Sequence, residues 1–178
     1  LADTGASLKL ERLLALAEGG DLSAMTAAAL MLVKGSAEFD CDFVRASALY
    51  QRAAQAGFTA AQYNLGCMYM DGLGVERDYT KAWHWLQLAA DAGDIDGQFT
   101  LATIYERGLT GPIDMTAARQ WYERAAENGS GRAQYDLACI YLHGKGIVAD
   151  KERAIYWFER AATSGVSRAA AHLKELKV

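Results

Sequence analysis

The chain has 178 residues, 52% of them hydrophobic, with a net charge of −4 and a pI near 5.4. That acidic balance lacks the basic footprint that nucleic acid or an anionic membrane surface requires. No apolar run approaches the roughly 20 residues of a membrane span, so neither nucleic acid nor direct membrane insertion is expected.

Residues 1–6 carry no pattern and read as a lead-in. A helix over 7–18 follows, carried by Leu8, Leu10, Leu13, Leu14, Leu16 and Ala17. Gly20 precedes Gly57 by 37 residues, so this helix reads as the second half of a truncated leading repeat. From there the sequence repeats itself. The pairs Ala53-Ala54, Ala89-Ala90, Ala125-Ala126 and Ala161-Ala162 recur every 36 residues, each followed by a glycine: Gly57, Gly93, Gly129 or Gly165. A fixed period of this size marks one helix-pair unit stacked on copies of itself. The organisation is then a lead-in and partial repeat over 1–20, four repeats over 21–57, 58–93, 94–129 and 130–166, and a C-terminal capping helix within 167–178. The periodicity predicts helices over 21–34, 43–56, 59–71, 79–92, 95–107, 115–128, 131–143, 151–164 and 167–176.

In the best-formed unit, Ala61, Leu65, Met68 and Tyr69 make one apolar stripe at helical spacing. Gly66 beside it suggests the close approach of another backbone, and the same slot holds Ala102 and Ala138. Gly72 and Gly74, Gly108 and Gly111, and Gly144 and Gly146 end the first helices. Asp42, Asp78, Asp114 and Asp150 announce the second helices as N-caps. Behind them run the expected inward stripes: Ala82, Trp85, Leu86, Ala89; then Ala118, Trp121, Tyr122, Ala125; then Ala154, Trp157, Phe158, Ala161. Trp85, Trp121 and Trp157 are expected to be buried, and Trp83, Ile155 and Tyr156 to pack on adjacent units. The first unit departs from the pattern: one extra residue stands in its loop, and Phe39 replaces the Gly-x-Gly. That departure reads either as terminal divergence or as a partner contact at Phe39 and Phe43. Pro112 stiffens the third loop without breaking a helix. Arg168, Lys174, Glu175 and Lys177 give the last helix a polar outer face, the expected close of the stack.

The stretch Ala61 to Gly93, with Ala61, Tyr63, Leu65, Gly66, Tyr69, Gly72, Gly74, Val75, Asp78, Lys81, Ala82, Trp85 and Ala89-Ala90, resembles the Sel1-like repeat, a relative of the tetratricopeptide repeat. The resemblance covers four copies. It implies an all-α fold, an α-solenoid in which antiparallel helix pairs form a right-handed superhelix. It further implies a scaffold or adaptor, with many such proteins bacterial, whose first helices line a concave side. The residues outside the Leu65/Tyr69 stripe on those helices are then the candidates for partner binding: Tyr63, Cys67, Met70 and Asp71; Phe99, Thr103, Glu106 and Arg107; Tyr135, Cys139, Leu142 and His143. The row Tyr63, Phe99, Tyr135 reads equally as partner anchors and as packing between neighbouring first helices.

Chemistry is sparse by comparison. His84, His143 and His172 fall in different units with no His or Cys at i+3 or i+4, so no metal site is expected. No Gly-x-Ser-x-Gly, Ser-x-x-Lys or phosphate loop is present. The missing Ser-x-x-Lys weighs against the β-lactam activity suggested for some members of the family. Asp71, Glu106 and Asp136 sit where carboxylates could meet in an open groove that does little to shift a pKa. The chain is expected to be no enzyme, to need no cofactor, and to act as a monomer that binds a protein or peptide. Alternatives are an immunity protein that covers a secreted bacterial phospholipase toxin, by resemblance to some family members, and a hydrolase of a cell-wall-related substrate. Cys41, Cys67 and Cys139 are odd in number and read as small buried or groove-lining thiols. A reducing compartment fits them slightly better than a bacterial periplasm, and the choice between cytoplasm and periplasm stays open. The chain starts at Leu1 rather than Met, so the lack of a signal sequence within it does not decide the matter.

Overall fold

Ten α-helices, with no strand, make up the described residues, 4–176, of the computed structural model. They are α1 (Thr4–Glu18), α2 (Leu22–Lys34), α3 (Phe43–Gln55), α4 (Thr59–Asp71), α5 (Tyr79–Asp91), α6 (Ile95–Arg107), α7 (Met115–Glu127), α8 (Gly131–His143), α9 (Lys151–Thr163) and α10 (Ser167–Leu176). Residues 4–6 of the expected lead-in belong to α1; residues 1–3 and Lys177 lie outside the described residues. The chain divides into two compact units, Leu1–Ala92 and Gly93–Val178. Within each, every helix packs on the next in sequence. Short loops between packed neighbours make those neighbours antiparallel.

The four foreseen aspartates do two jobs each. Their carboxylates accept from the amides of Arg45, Lys81, Ala117 and Arg153 at 2.9–3.0 Å, satisfying a free donor of the first turn. Their own amides donate to Leu32, Tyr69, Tyr105 and Tyr141 carbonyls of the preceding helix at 2.8–3.0 Å. The second bond ties the start of each second helix to its own first helix and fixes the loop between them. First helices are capped as well, by Asp21, Asp94 and Ser130.

Packing within a pair is an interlock of small against large. A methyl placed on Gly66 would come within 2.6 Å of Leu86 Cγ, so the glycine is set by proximity rather than by backbone angle. Ala102 and Ala138 fill that slot in α6 and α8 and are fully buried. Gly74 is different: its φ is +68°, and a side chain there would run into the Phe43 carbonyl, while its own carbonyl accepts from Ser47 Oγ at 3.3 Å. Gly111, expected as a helix-ending glycine, does not adopt the left-handed backbone; Gly108 alone turns that loop.

The inward stripe of α9 is buried as expected, and in α5 and α7 three of its four residues are, the second alanine of each pair standing in for the tryptophan. Ala118, Tyr122, Ala125 and Ala126 are buried in α7, and Ala82, Leu86, Ala89 and Ala90 in α5. This i, i+4, i+7, i+8 set leaves Trp85 and Trp121 half-buried at the edge of the stripe; only Trp157 is buried, at 8% exposure. Trp83 and Ile155 are half-buried, but Tyr156 is 51% exposed, its ring edge-on to Trp157. Cys41 is exposed and Cys67 and Cys139 half-buried, and none of the three is in a disulfide.

Gln62, Gln98 and Gln134 recur at the 36-residue period and are buried. Gln62 donates to the Ala54 carbonyl at 3.3 Å and Gln134 to the Ala126 carbonyl at 3.0 Å, at the ends of the preceding second helices. Gln98 accepts from Asn128 and Gln134 from Ser164, closing these two repeats on their own last residues.

Gly66→Ala is expected to lower the thermal midpoint, because overpacking costs about 1–3 kcal/mol against about 1 kcal/mol of helix propensity gained. A midpoint at or above the parent's would show that Leu86 moves aside freely. In chemical denaturation, Trp157→Ala is expected to cost about 3–5 kcal/mol and Trp121→Ala clearly less; equal losses would reverse the burial order.

Candidate functional site

In the first unit the candidate residues come from α4 alone. Tyr63, Cys67 and Met70 are half-buried and Asp71 is exposed at the C-terminal end. Beside them the Tyr50 hydroxyl is fully buried without a hydrogen-bond partner, and burial, with the Cys67 thiol nearby, pushes its pKa up to about 12.

The second unit presents a more elaborate surface. Phe99 and Tyr135 are half-buried and each has two occupied faces. Inward, Phe99 tilts onto Tyr122 and Tyr135 stands edge-on to Phe158, both at 5.6 Å between ring centres. Outward, the Arg132 guanidinium lies 4.7 Å over Phe99 and that of Arg168 5.0 Å over Tyr135. The rings are thus packed into the fold and also offered, through the arginines, to whatever lies on this face. Tyr135 Oη is 3.1 Å from His172 Nε2, which positions the phenol.

These residues enclose a cavity of about 130 Å³ with Asp136 and Val166. Burial raises the Asp136 carboxyl above the usual range and Glu106 adds to this, while Arg168, Arg132 and Lys145 pull the other way. Glu106 accepts from Tyr122 Oη at 2.8 Å and pairs with Lys145 Nζ at 3.4 Å. Thr103 Oγ1 approaches the same phenol at 3.3 Å. Burial also raises the Cys139 thiol, which keeps it protonated. Arg107 and His143 are exposed at the ends of α6 and α8, with Leu142 half-buried beside them.

Glu106 and Asp136 do come together, as their spacing allowed; Asp71 belongs to the other unit. Arg168, expected on a polar outer face, is exposed and also covers Tyr135. Arg132, Lys145 and Tyr122 were not among the candidates. The signal for the first was available, since Arg132 and Arg168 share one slot of the 36-residue register. His84 and His143 are exposed, and His172 stacks on Phe158 at 5.0 Å. Among the described residues no group of three or more His, Cys, Asp or Glu could hold a metal ion, and no helix is long and apolar enough to cross a membrane.

The Sel1 repeat model matches four consecutive segments, residues 22–58, 59–94, 95–130 and 131–166. The chain belongs to the Sel1 repeat family. Among solved structures it is similar to c5321, a protective antigen of uropathogenic Escherichia coli with an SLR fold, at 31% identity and a TM-score of 0.85, over 92% of this chain and 35% of that one. It is also similar to a Sel1 repeat protein from Oxalobacter formigenes, at 32% identity and a TM-score of 0.81, over 87% of this chain and 63% of the other. The chain therefore spans about a third of the first relative and under two thirds of the second. The immunity protein Pa5087 from Pseudomonas aeruginosa shares the fold at 19% identity and a TM-score of 0.58, over 94% of this chain and 69% of that one. No curated protein matches. The fold is accordingly the all-α solenoid class of Sel1 repeats, which generally mediate protein–protein interaction and are generally non-catalytic.

The Asp136 carboxyl holds its proton more tightly folded than unfolded, so the contribution it makes is favourable at low pH and is lost as pH rises from the ordinary value of 3.8 through the raised one. Asp136→Asn is expected to raise the thermal midpoint at pH 7 and to leave it unchanged well below pH 3.8, where both states are protonated. A lowered midpoint at pH 7 would mean that the neighbouring arginines outweigh burial.

Proposed function

We propose that this Sel1 repeat chain is a non-catalytic adaptor that holds a peptide or protein segment against its first helices, the side the family resemblance assigns to the concave face. The observation that carries this reading is the pair of arginine-covered rings, Phe99 under Arg132 and Tyr135 under Arg168, around a cavity with a half-buried carboxylate at its edge. Rigid aromatics give contact area at little cost in side-chain freedom, and guanidinium groups seek carboxylates and carbonyls. Asp136 adds an acceptor for a backbone or side-chain N–H. A segment of extended peptide offers all three counterparts at once. Tyr63, Cys67, Met70 and Asp71 present the corresponding slots of the first unit.

The chain is read as a monomer, and its net charge of −4 supports a partner other than nucleic acid. The likeness to an immunity protein supports the fold and does not extend to its role. No nucleophile motif in the sequence speaks for hydrolysis.

The test is capture of a partner from the native host, followed by calorimetry on purified components. Phe99→Ala, Tyr135→Ala and Tyr63→Ala are each expected to cost about 2 kcal/mol or more of binding, against well under about 1 kcal/mol for the rim change Asp71→Ala. Circular dichroism melts of the same variants separate lost binding from lost fold. Normal binding by all three folded variants, with loss on changing second helices or loops, would move the functional face elsewhere.

A further inference from the structure

Two equivalent slots of the repeat place a cation beside one cavity. Arg132 lies in the first turn of α8 and Arg168 in that of α10, where α4 and α6 have Ala60 and Asp96. Each guanidinium lies over a ring of the preceding first helix, Arg132 at 4.7 Å from the Phe99 ring centre and Arg168 at 5.0 Å from that of Tyr135. Contact with a ring leaves a guanidinium's N–H donors without an oxygen acceptor. Among the described residues neither arginine forms an ion pair with a carboxylate, and both side chains are exposed.

The cavity of about 130 Å³ that both arginines line has one acid of its own, Asp136. Glu106 acts on that carboxyl from α6 but is already engaged, accepting from Tyr122 Oη and pairing with Lys145. The lining therefore sets two guanidinium groups against one carboxyl, an excess of positive charge on a chain that is acidic as a whole.

We infer that the partner segment held on this face is acidic here, with the carboxylate of a glutamate or aspartate side chain seated between Arg132 and Arg168. This rests on the adaptor reading above and names the chemistry that its partner brings. A carboxylate presents two oxygens in one plane, the match for guanidinium donors, and its single charge balances the excess. A phosphate monoester, at about −1.5 to −2 charges, would exceed that excess beside Asp136. A segment running on from both sides of the carboxylate meets Phe99 and Tyr135, which both line the cavity, whereas a chain terminus reaches one of them. A basic side chain would find one acceptor and two like charges. Asp136 repels the incoming carboxylate and so limits how tightly the site holds it.

The experiment is a titration of the full chain with the N-acetylated, C-amidated peptide Gly-Leu-Glu-Leu-Gly, followed by backbone amide shifts in NMR. Forms with glutamine, lysine or phosphoserine at the centre are the controls, with a glutamine form whose C-terminus is free. Saturable shifts centred on Phe99, Asp136, Val166 and Arg168 are expected from the glutamate peptide, with about tenfold weaker binding of the capped glutamine form and weaker binding of the other three. Arg132→Met and Arg168→Met, which keep a long side chain over each ring, are each expected to weaken it about three- to tenfold. Asp136→Asn, which removes the like charge, is expected to tighten it about two- to tenfold. Equal binding of the glutamate and capped glutamine forms, tighter binding of the phosphoserine or free-terminus form, no saturable shift at these residues, or undiminished binding by both folded arginine variants would each overturn the proposal. The adaptor reading survives each of these results, since it stands or falls on the captured partner and its Phe99, Tyr135 and Tyr63 variants. If the arginine variants fail to fold, salt decides: the parent's affinity for the glutamate peptide is expected to fall severalfold between about 20 and about 300 mM sodium chloride, and no change there counts against the ion pair.

Discussion

Within each helix pair two backbones approach so closely that one must offer a hydrogen or a methyl where the other offers a large side chain. Gly66 against Leu86 is the tightest case, and a single added carbon would sit 2.6 Å from Leu86 Cγ. The slots of Ala102 and Ala138 and of Tyr122 and Phe158 repeat that division of volume, and all four are essentially without exposure. Because interiors are packed to crystal-like density, such an interlock tolerates little sliding. The 36-residue register of the sequence is therefore also a register in space within each unit.

Polar groups hold the same register where side-chain volume alone would not. A stack of helices leaves carbonyls at helix ends that are shielded from water, and unpaired buried carbonyls are costly. The aspartate caps and the buried glutamines meet that demand at fixed places in the repeat: the cap amide takes the first-helix carbonyl, and Gln62 and Gln134 take the carbonyl at the end of the preceding second helix. With packing and backbone both fixed, Phe99 and Tyr135 have one face committed to Tyr122 and Phe158. Their outer faces, and the arginines over them, are held in position by the same contacts.

How far this could be read from the sequence depended on how local the cause was. Helices, caps and the Gly66 slot were legible because spacing and capping are properties of neighbouring residues. Of the tryptophans, which share one slot of the repeat, Trp157 is buried as its size suggested, while Trp85 and Trp121 stay half-buried at the edge of the stripe that Leu86 and Tyr122 occupy. The glutamines were overlooked although they recur at the repeat period, since a polar residue at helical spacing looks like surface until its partners, a carbonyl eight residues back and a residue thirty ahead, are brought to it. Arg168 is exposed as its outer-face reading has it, but its contact with Tyr135, which crosses from one first helix to the next, was hidden for the same reason. The candidate face was legible as a set of slots, while its charge arrangement depended on contacts between repeats.

A framework this regular makes departures from it informative. The slot held by Asn64 and Thr100 becomes Asp136, a half-buried carboxylate whose proton affinity is raised by its own surroundings. The slot held by Ala60 and Asp96 becomes Arg132 and then Arg168, each over an aromatic ring. Packing demands neither change, since the fold is built equally well on the earlier residues. At neutral pH the half-buried Asp136 carboxylate works against stability, whereas Arg132 and Arg168 stay exposed and cover the rings beneath them. In the first unit the slots of Tyr156 and Trp157 hold Ala48 and Leu49, and Leu49 at 9% exposure is as buried as Trp157 at 8%.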